Sequence, residues 1–188
     1  ALLVEDTDWF LVRLYAFAAD LGASLLVPRE SRYVIDLNRP SDNTPMYTGS
    51  NNTELVPTRF FTGEPLYRDG GEPDGVEVMR RIDEIWQPYH DALAGEVQRI
   101  KSAHGHAVLL DAHSIKSELP WLFDGTLPHL NLGTVDGHSC APSLRQALIA
   151  AMATQQRFTH VTDGRFKGGH ITRHYGQPTQ NVHAVQLE

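Results

Sequence analysis

The stretch from Val76 to Leu110 narrows the folds open to this chain more than any other. Val76, Met79, Ile82, Ile85, Trp86, Tyr89, Leu93, Val97 and Ile100 recur at three- and four-residue spacing, which predicts an amphipathic helix over 76–103. Pro88 should kink that helix and Gly105 should end it. Directly beyond lies Ala107-Val-Leu-Leu110, an apolar run too short for a helix, which reads as a buried strand. A long one-sided helix feeding a buried strand is the repeating unit of a layered α/β fold.

The rest of the chain continues the alternation. The pattern predicts a helix over 8–21 stopped by Gly22, and short strands over 23–27 and 32–37. It predicts a further helix over 142–155 opened by Pro142, then strands over 158–162 and 183–188. The expected architecture is therefore α/β with a mostly parallel or mixed sheet. Between Ser41 and Pro73 the chain is irregular and rich in Pro and Gly. Tyr47, Phe60, Phe61 and Tyr67 within it favour an ordered loop that covers something.

Composition removes several classes of function. The chain has 188 residues, enough for one domain with a real core. Its net charge of -7 argues against a nucleic-acid or anionic-membrane partner. No apolar run approaches the length of a membrane span, and the first residues lack the basic stretch of a secretory leader. The single cysteine, Cys140, excludes an intramolecular disulfide and an all-cysteine zinc site. A cytoplasmic, single-domain protein is expected, and nothing in the sequence bears on its oligomeric state. There is no initiator Met, and His183-Ala-Val-Gln-Leu-Glu188 reads as a strand in mid-sequence. The chain is thus expected to be a domain over 1–188 cut at both ends.

Ten histidines are the first sign of chemistry. Ligands in open α/β sheets bind beyond the carboxyl ends of strands. Three predicted strand ends carry polar groups: Asp36, Asn38 and Arg39; Asp111, His113 and Ser114; and Glu188. His113 is either a metal ligand steadied by Asp111 or a hydrogen-bonded structural histidine. Arg32 and Arg39 either grip a carboxylate in fork geometry or close a local ion pair, Arg32 with Asp36 for instance. Glu188 is either a general base beside a metal or a solvent-facing residue. The Phe166–Gly176 stretch reads as a dense polar loop whose histidines and Arg could steady an oxyanion. Cys140 with His138, and Ser114 beside His113, lack the third group or the turn that nucleophilic catalysis needs.

Several motifs taken together are more specific. Ser31-Arg-Tyr-Val-Ile-Asp-Leu-Asn-Arg-Pro40, Asp111-Ala-His-Ser114, Gly164-Arg-Phe-Lys-Gly-Gly-His170, Ile171-Thr-Arg-His-Tyr-Gly176 and His183-Ala-Val-Gln-Leu-Glu188 occur in that order. With Glu5-Asp-Thr-Asp-Trp9 and Leu132-Gly-Thr134 they resemble the N-formylglutamate amidohydrolase (deformylase) family. The resemblance implies a three-layer mixed sheet between helices, like that of zinc carboxypeptidases. It implies hydrolysis of N-formyl-L-glutamate to formate and L-glutamate, late in histidine breakdown, with zinc or another divalent transition metal. By the same resemblance His113 is a metal ligand, and Asp8 is the carboxylate ligand, with Asp6 and Glu5 as rivals. Asn38 and Arg39 grip the substrate carboxylate, and Arg32 polarises the scissile carbonyl or holds substrate. Glu188 is the general base, and Lys167, His170, Arg173 and His174 border the substrate. The family's Pro-His-Ser-Gly-type segment, which supplies a first metal histidine, has no counterpart here. Two other readings stay open: another N-acyl amino acid deacylase or carboxypeptidase of the same group, and a non-catalytic domain that binds acidic ligands.

Overall fold

The structure, a computed structural model, describes residues 8–46 and 51–188; Glu5, Asp6 and Tyr47 lie outside them. It divides into two compact units. The first comprises Ala1–Leu93 with Ser114–Asp124, the second Ala94–His113 with Gly125–Glu188.

In the first unit, Leu11–Leu14 forms a short helix, α1, continued by a 3-10 stretch over Ala16–Leu21. The single long helix expected over 8–21 is broken because Phe10 takes a left-handed φ of 62° and the backbone tightens after Tyr15. Gly22, at φ 78°, ends the segment as expected. The predicted strand over 23–27 is irregular, and Leu25, Leu26 and Val27 are exposed. An apolar run is a strand only where a neighbouring strand pairs with it.

The predicted strand over 32–37 is also absent, and turns replace it. Local bonds win there. The Val34 amide donates to the Ser31 carbonyl at 2.8 Å, and the Asn38 amide donates to the Asp36 carboxylate at 3.0 Å. Short polar side chains that bond nearby amides compete with a ladder. The segment is nonetheless core. Ile35, Leu37, Leu55 and Val56 are buried together against Val78, Ile82, Ile85, Trp86 and Tyr89.

Those last residues come from one helical rod. Helix α2 (Gly75–Arg81) is capped by Asp74, whose carboxylate accepts the Glu77 amide at 2.9 Å. A π turn over Ile82–Trp86 follows, then α3 over Gln87–His104. The π turn lies just ahead of Pro88 and widens the helix where the proline ring would press on the preceding turn. It turns Trp86 inward, so that its indole donates to the Arg39 carbonyl at 2.9 Å. Gly105, at φ 77°, terminates α3 as the sequence predicts.

The second unit is built on one mixed four-stranded sheet. Its strands are β1 (Ala107–Ala112), β2 (Leu130–Gly133), β3 (His160–Thr162) and β4 (Val182–Leu187), in spatial order β1-β4-β2-β3. β1 and β4 run parallel, β2 and β3 run parallel, and β2 opposes β4. Helix α4 (Pro142–Thr154) brings Leu144, Leu148, Ile149 and Met152 onto Leu132, Cys140 and Val185. Successive strand residues point to opposite faces, so Gln186 faces away from α4. Helix α5 (His170–Tyr175) covers that other face, and the Gln186 side chain accepts the Gly169 amide at its start. A sheet between helices is therefore what this unit forms.

Buried polar groups tie the far end together. Asp163 follows β3 and accepts the Thr134 amide and hydroxyl, both at 2.6 Å, and a guanidinium hydrogen of Arg145 at 2.9 Å. Burial works to raise the Asp163 pKa, but these hydrogen bonds outweigh it and keep it below its ordinary value.

Gly133 sits at the point where the 166–168 backbone crosses β2. A methyl group there would lie 2.8 Å from the Gly168 nitrogen and from the Lys167 carbonyl carbon. Backbone cannot yield as a flexible side chain can. We expect Gly133→Ala to cost about 1–3 kcal/mol, read as a lower urea midpoint with an unchanged slope.

Candidate active site

β1 and β4 are parallel, so their carboxyl ends share one edge of the sheet. Asp111 pairs with Gln186 in register, and the His113 amide donates to the Leu187 carbonyl at 2.9 Å. Side chains two residues apart along a strand share a face. His113 therefore extends the face of Asp111, and Glu188 extends the face of Gln186. A ring nitrogen of His113 and a carboxylate oxygen of Glu188 come within 4.8 Å of each other. Both side chains are half-buried.

Each has a partner that fixes it. His113 Nε2 lies 2.9 Å from Oδ1 of the buried Asp111, and the Thr172 hydroxyl approaches the other Asp111 oxygen at 3.5 Å. A carboxylate on one ring nitrogen of a histidine fixes the ring's orientation, the arrangement that braces a metal ligand. Glu188 Oε2 accepts from the Gln186 side-chain amide at 2.8 Å.

α5 overturns the reading of 166–176 as loop: its latter half is helical. Ile171, Thr172 and Tyr175 are buried, while Arg173 and His174 are exposed and His170 is half-buried. His170, Arg173 and His174 thus share the outer face of one helix, with the His170 and His174 rings stacked at 5.2 Å. The Arg173 Nε donates back to the Gly168 carbonyl at 2.9 Å. The Lys167 ammonium lies 3.1 Å from both oxygens of Asp136.

In the first unit, the predicted arginines gather around one carboxylate. Asp36 is 2% exposed. Arg32 donates to it at 2.9 Å, and Arg39 lies 3.9 Å away. Burial works to raise the Asp36 pKa, but the charges of Arg32 and Arg39 and the hydrogen bonds from Arg32 and the Asn38 amide hold it below its ordinary value. Arg32 also faces Asp8 at 3.7 Å and lies over the Phe61 ring at 4.8 Å. Arg39 donates to the Thr53 carbonyl at 3.0 Å, to the Thr53 hydroxyl, and to the Asn38 carbonyl at 2.8 Å. Asn38 itself is buried. Asp8 accepts the amide of Ser114 at 3.1 Å, the residue that follows His113 in the chain.

Cys140 is buried in the core under α4, and burial pushes its thiol pKa up. That suits packing, not nucleophilic attack. The residues that sequence reasoning passed over are Gln186 and Thr53. Gln186 carried a signal, since it precedes Glu188 by two in a strand.

A family model for N-formylglutamate amidohydrolase matches residues 1–188. The chain belongs to that family. Among relatives, it is 55% identical over 188 residues to N-formylglutamate deformylase of Pseudomonas aeruginosa, covering 100% of this chain and 70% of the relative. It is 52% identical over 185 residues to the Pseudomonas putida deformylase, covering 98% of this chain and 69% of the relative. Among solved structures, it resembles N-formylglutamate amidohydrolase from Ralstonia eutropha JMP134 with a TM-score of 0.67 at 25% identity. That likeness covers 84% of this chain and 60% of the solved one. A gene product of Agrobacterium tumefaciens shares the fold, with a TM-score of 0.59 at 19% identity over 85% of this chain and 57% of its own. The chain thus spans about 60% of the first of these solved relatives. Among the described residues of this family member, no helix is long and apolar enough to cross a membrane.

The buried ion pairs make a stability prediction. The Asp36 pKa is lowered in the folded protein, so its contribution is full above the ordinary carboxylate range and is lost as pH falls through the lowered value. Asp36→Asn should cost about 3 kcal/mol near neutral pH, because it leaves buried guanidinium charge uncompensated. The gap from the parent protein should shrink as pH falls through the lowered Asp36 value, as read by urea unfolding across pH.

Proposed function

We propose that this chain carries the hydrolytic core of an N-formylglutamate deformylase. The reaction is hydrolysis of N-formyl-L-glutamate to formate and L-glutamate, a step of histidine breakdown in the cytoplasm. The observation that carries this reading is the convergence of His113 and Glu188 at the carboxyl ends of β1 and β4, with Asp111 on the far nitrogen of the histidine. The family match and the names of the relatives point the same way.

By the family resemblance, His113 and Asp8 are the residues that would hold a divalent metal ion, and Glu188 would act beside His113. An imidazole with carboxylates is the donor set of zinc and its neighbours, and the Asp111 carboxylate that braces His113 fits it. When bound, such an ion supplies Lewis acidity toward a carbonyl oxygen and lowers the pKa of water toward ~7. The remaining work falls to this chain's side chains. Glu188 takes a proton from the attacking water and later delivers it to the leaving nitrogen as the C–N bond breaks. Arg32 and Arg39 set two guanidinium charges against the single buried charge of Asp36. With Asp8 given over to the ion, that surplus of positive charge draws a dicarboxylate substrate. Asn38 shapes the turn that presents Arg39. His170, Arg173 and His174 offer donors from the outer face of α5, and Lys167 borders them.

The test is formate release from N-formyl-L-glutamate by the zinc-loaded full-length protein. Glu188→Gln should lower kcat by about 10²- to 10⁴-fold, the usual worth of a positioned general base. Arg39→Ala should act mainly on KM. The proposal fails if a folded parent protein binds glutamate-like acids without hydrolysing the formyl amide, or if Glu188→Gln keeps full activity.

A further inference from the structure

The geometry points to Gln186 as a positioning residue for the Glu188 carboxylate, an inference that rests on the reading of Glu188 as general base. Gln186 lies one strand repeat before Glu188 on the same face of β4. The residue is 4% exposed and both polar ends of its side chain are engaged. Nε2 donates to Glu188 Oε2 at 2.8 Å, and Oε1 accepts the Gly169 amide at 2.7 Å. The amide group therefore spans from the backbone that opens α5 to the carboxylate proposed to move the proton.

The orientation of this amide follows from its partners. A backbone N–H can only donate, so the atom facing Gly169 is the oxygen. The nitrogen is then left facing Glu188, where it can only donate. That choice holds the Glu188 carboxylate as an acceptor on Oε2.

The backbone of Glu188 is fixed independently. Its amide donates to the Asn131 carbonyl at 3.0 Å, and its carbonyl accepts the Asn131 amide at 2.7 Å. With the main chain clamped to β2, what Gln186 controls is the direction of the side chain. Glutamate has three side-chain torsions, and a general base works only within hydrogen-bond reach of its proton. A misplacement of about 1 Å can cost 10²-fold.

A charge-only role and a fold-only role predict different kinetics. Gln186→Glu keeps an acceptor for the Gly169 amide and deletes the donor to Glu188. Gln186→Met deletes both. Steady-state kinetics of the zinc-loaded full-length protein should show kcat reduced about 10- to 100-fold in both variants, with KM nearly unchanged. The Gly169 amide should stay protected from hydrogen exchange in Gln186→Glu. In a Glu188→Gln background, neither substitution should lower the residual kcat further. Full kcat in Gln186→Glu, beside a crippled Glu188→Gln, overturns the inference and leaves the base assignment standing. A change confined to KM overturns it too, because it would place the effect on α5. A fully active Glu188→Gln sinks the base assignment itself, and the role of Gln186 goes with it.

Discussion

The parallel pairing of β1 with β4 is the constraint on which the second unit depends. Register decides everything that follows, because a slip of one residue would move each side chain to the opposite face. With Asp111 opposite Gln186, one face carries Asp111, His113, Gln186 and Glu188 in two adjacent columns. The other face carries Val185, which packs under α4. β2 runs against β4 with Gly133 in register with Gln186, and beyond it Thr134 and Asp163 form a hydrogen-bonded network with Arg145.

In the first unit one buried carboxylate has the corresponding part. Asp36 orients Arg32 at 2.9 Å and lies 3.9 Å from Arg39, and its own amide donates to the Leu55 carbonyl at 2.7 Å. The rod of α2 and α3 closes over this segment through Trp86, and through His90, whose Nε2 lies 3.0 Å from the Leu37 carbonyl. Thus a turn that is polar at one end is rigid because its other side chains are core. Rigid arginines lose little entropy on binding a carboxylate, which is the advantage of preorganisation.

Much of this was legible in the residues. The period of 76–103, the apolar run at 107–110, Pro142 and the glycines at 22 and 105 each place an element or an end where the structure has it. The motifs that resemble the deformylases identified the family before any coordinate. The failures are equally physical. Arg32–Leu37 alternates like a strand, but the alternation comes from packing against a helix, and Asp36 spends its hydrogen-bonding capacity locally. β2 is four residues long with a buried Asn131 in it, too short and too polar to announce a period. α5 hides behind two glycines, and only its buried face of Ile171, Thr172 and Tyr175 betrays a helical repeat. Gln186 could have been found from the two-residue period of β4. Its link to Gly169 could not, because that depends on where a distant backbone crosses the sheet.

The claim that organises the rest is that His113, braced by Asp111, is a ligand of a divalent metal ion. Equilibrium dialysis of the full-length protein against zinc measures this without reference to turnover. The account predicts one ion per chain, its loss in His113→Ala, and affinity weakened about 10- to 100-fold in Asp111→Ala. Unchanged zinc binding in a folded His113→Ala variant would contradict it.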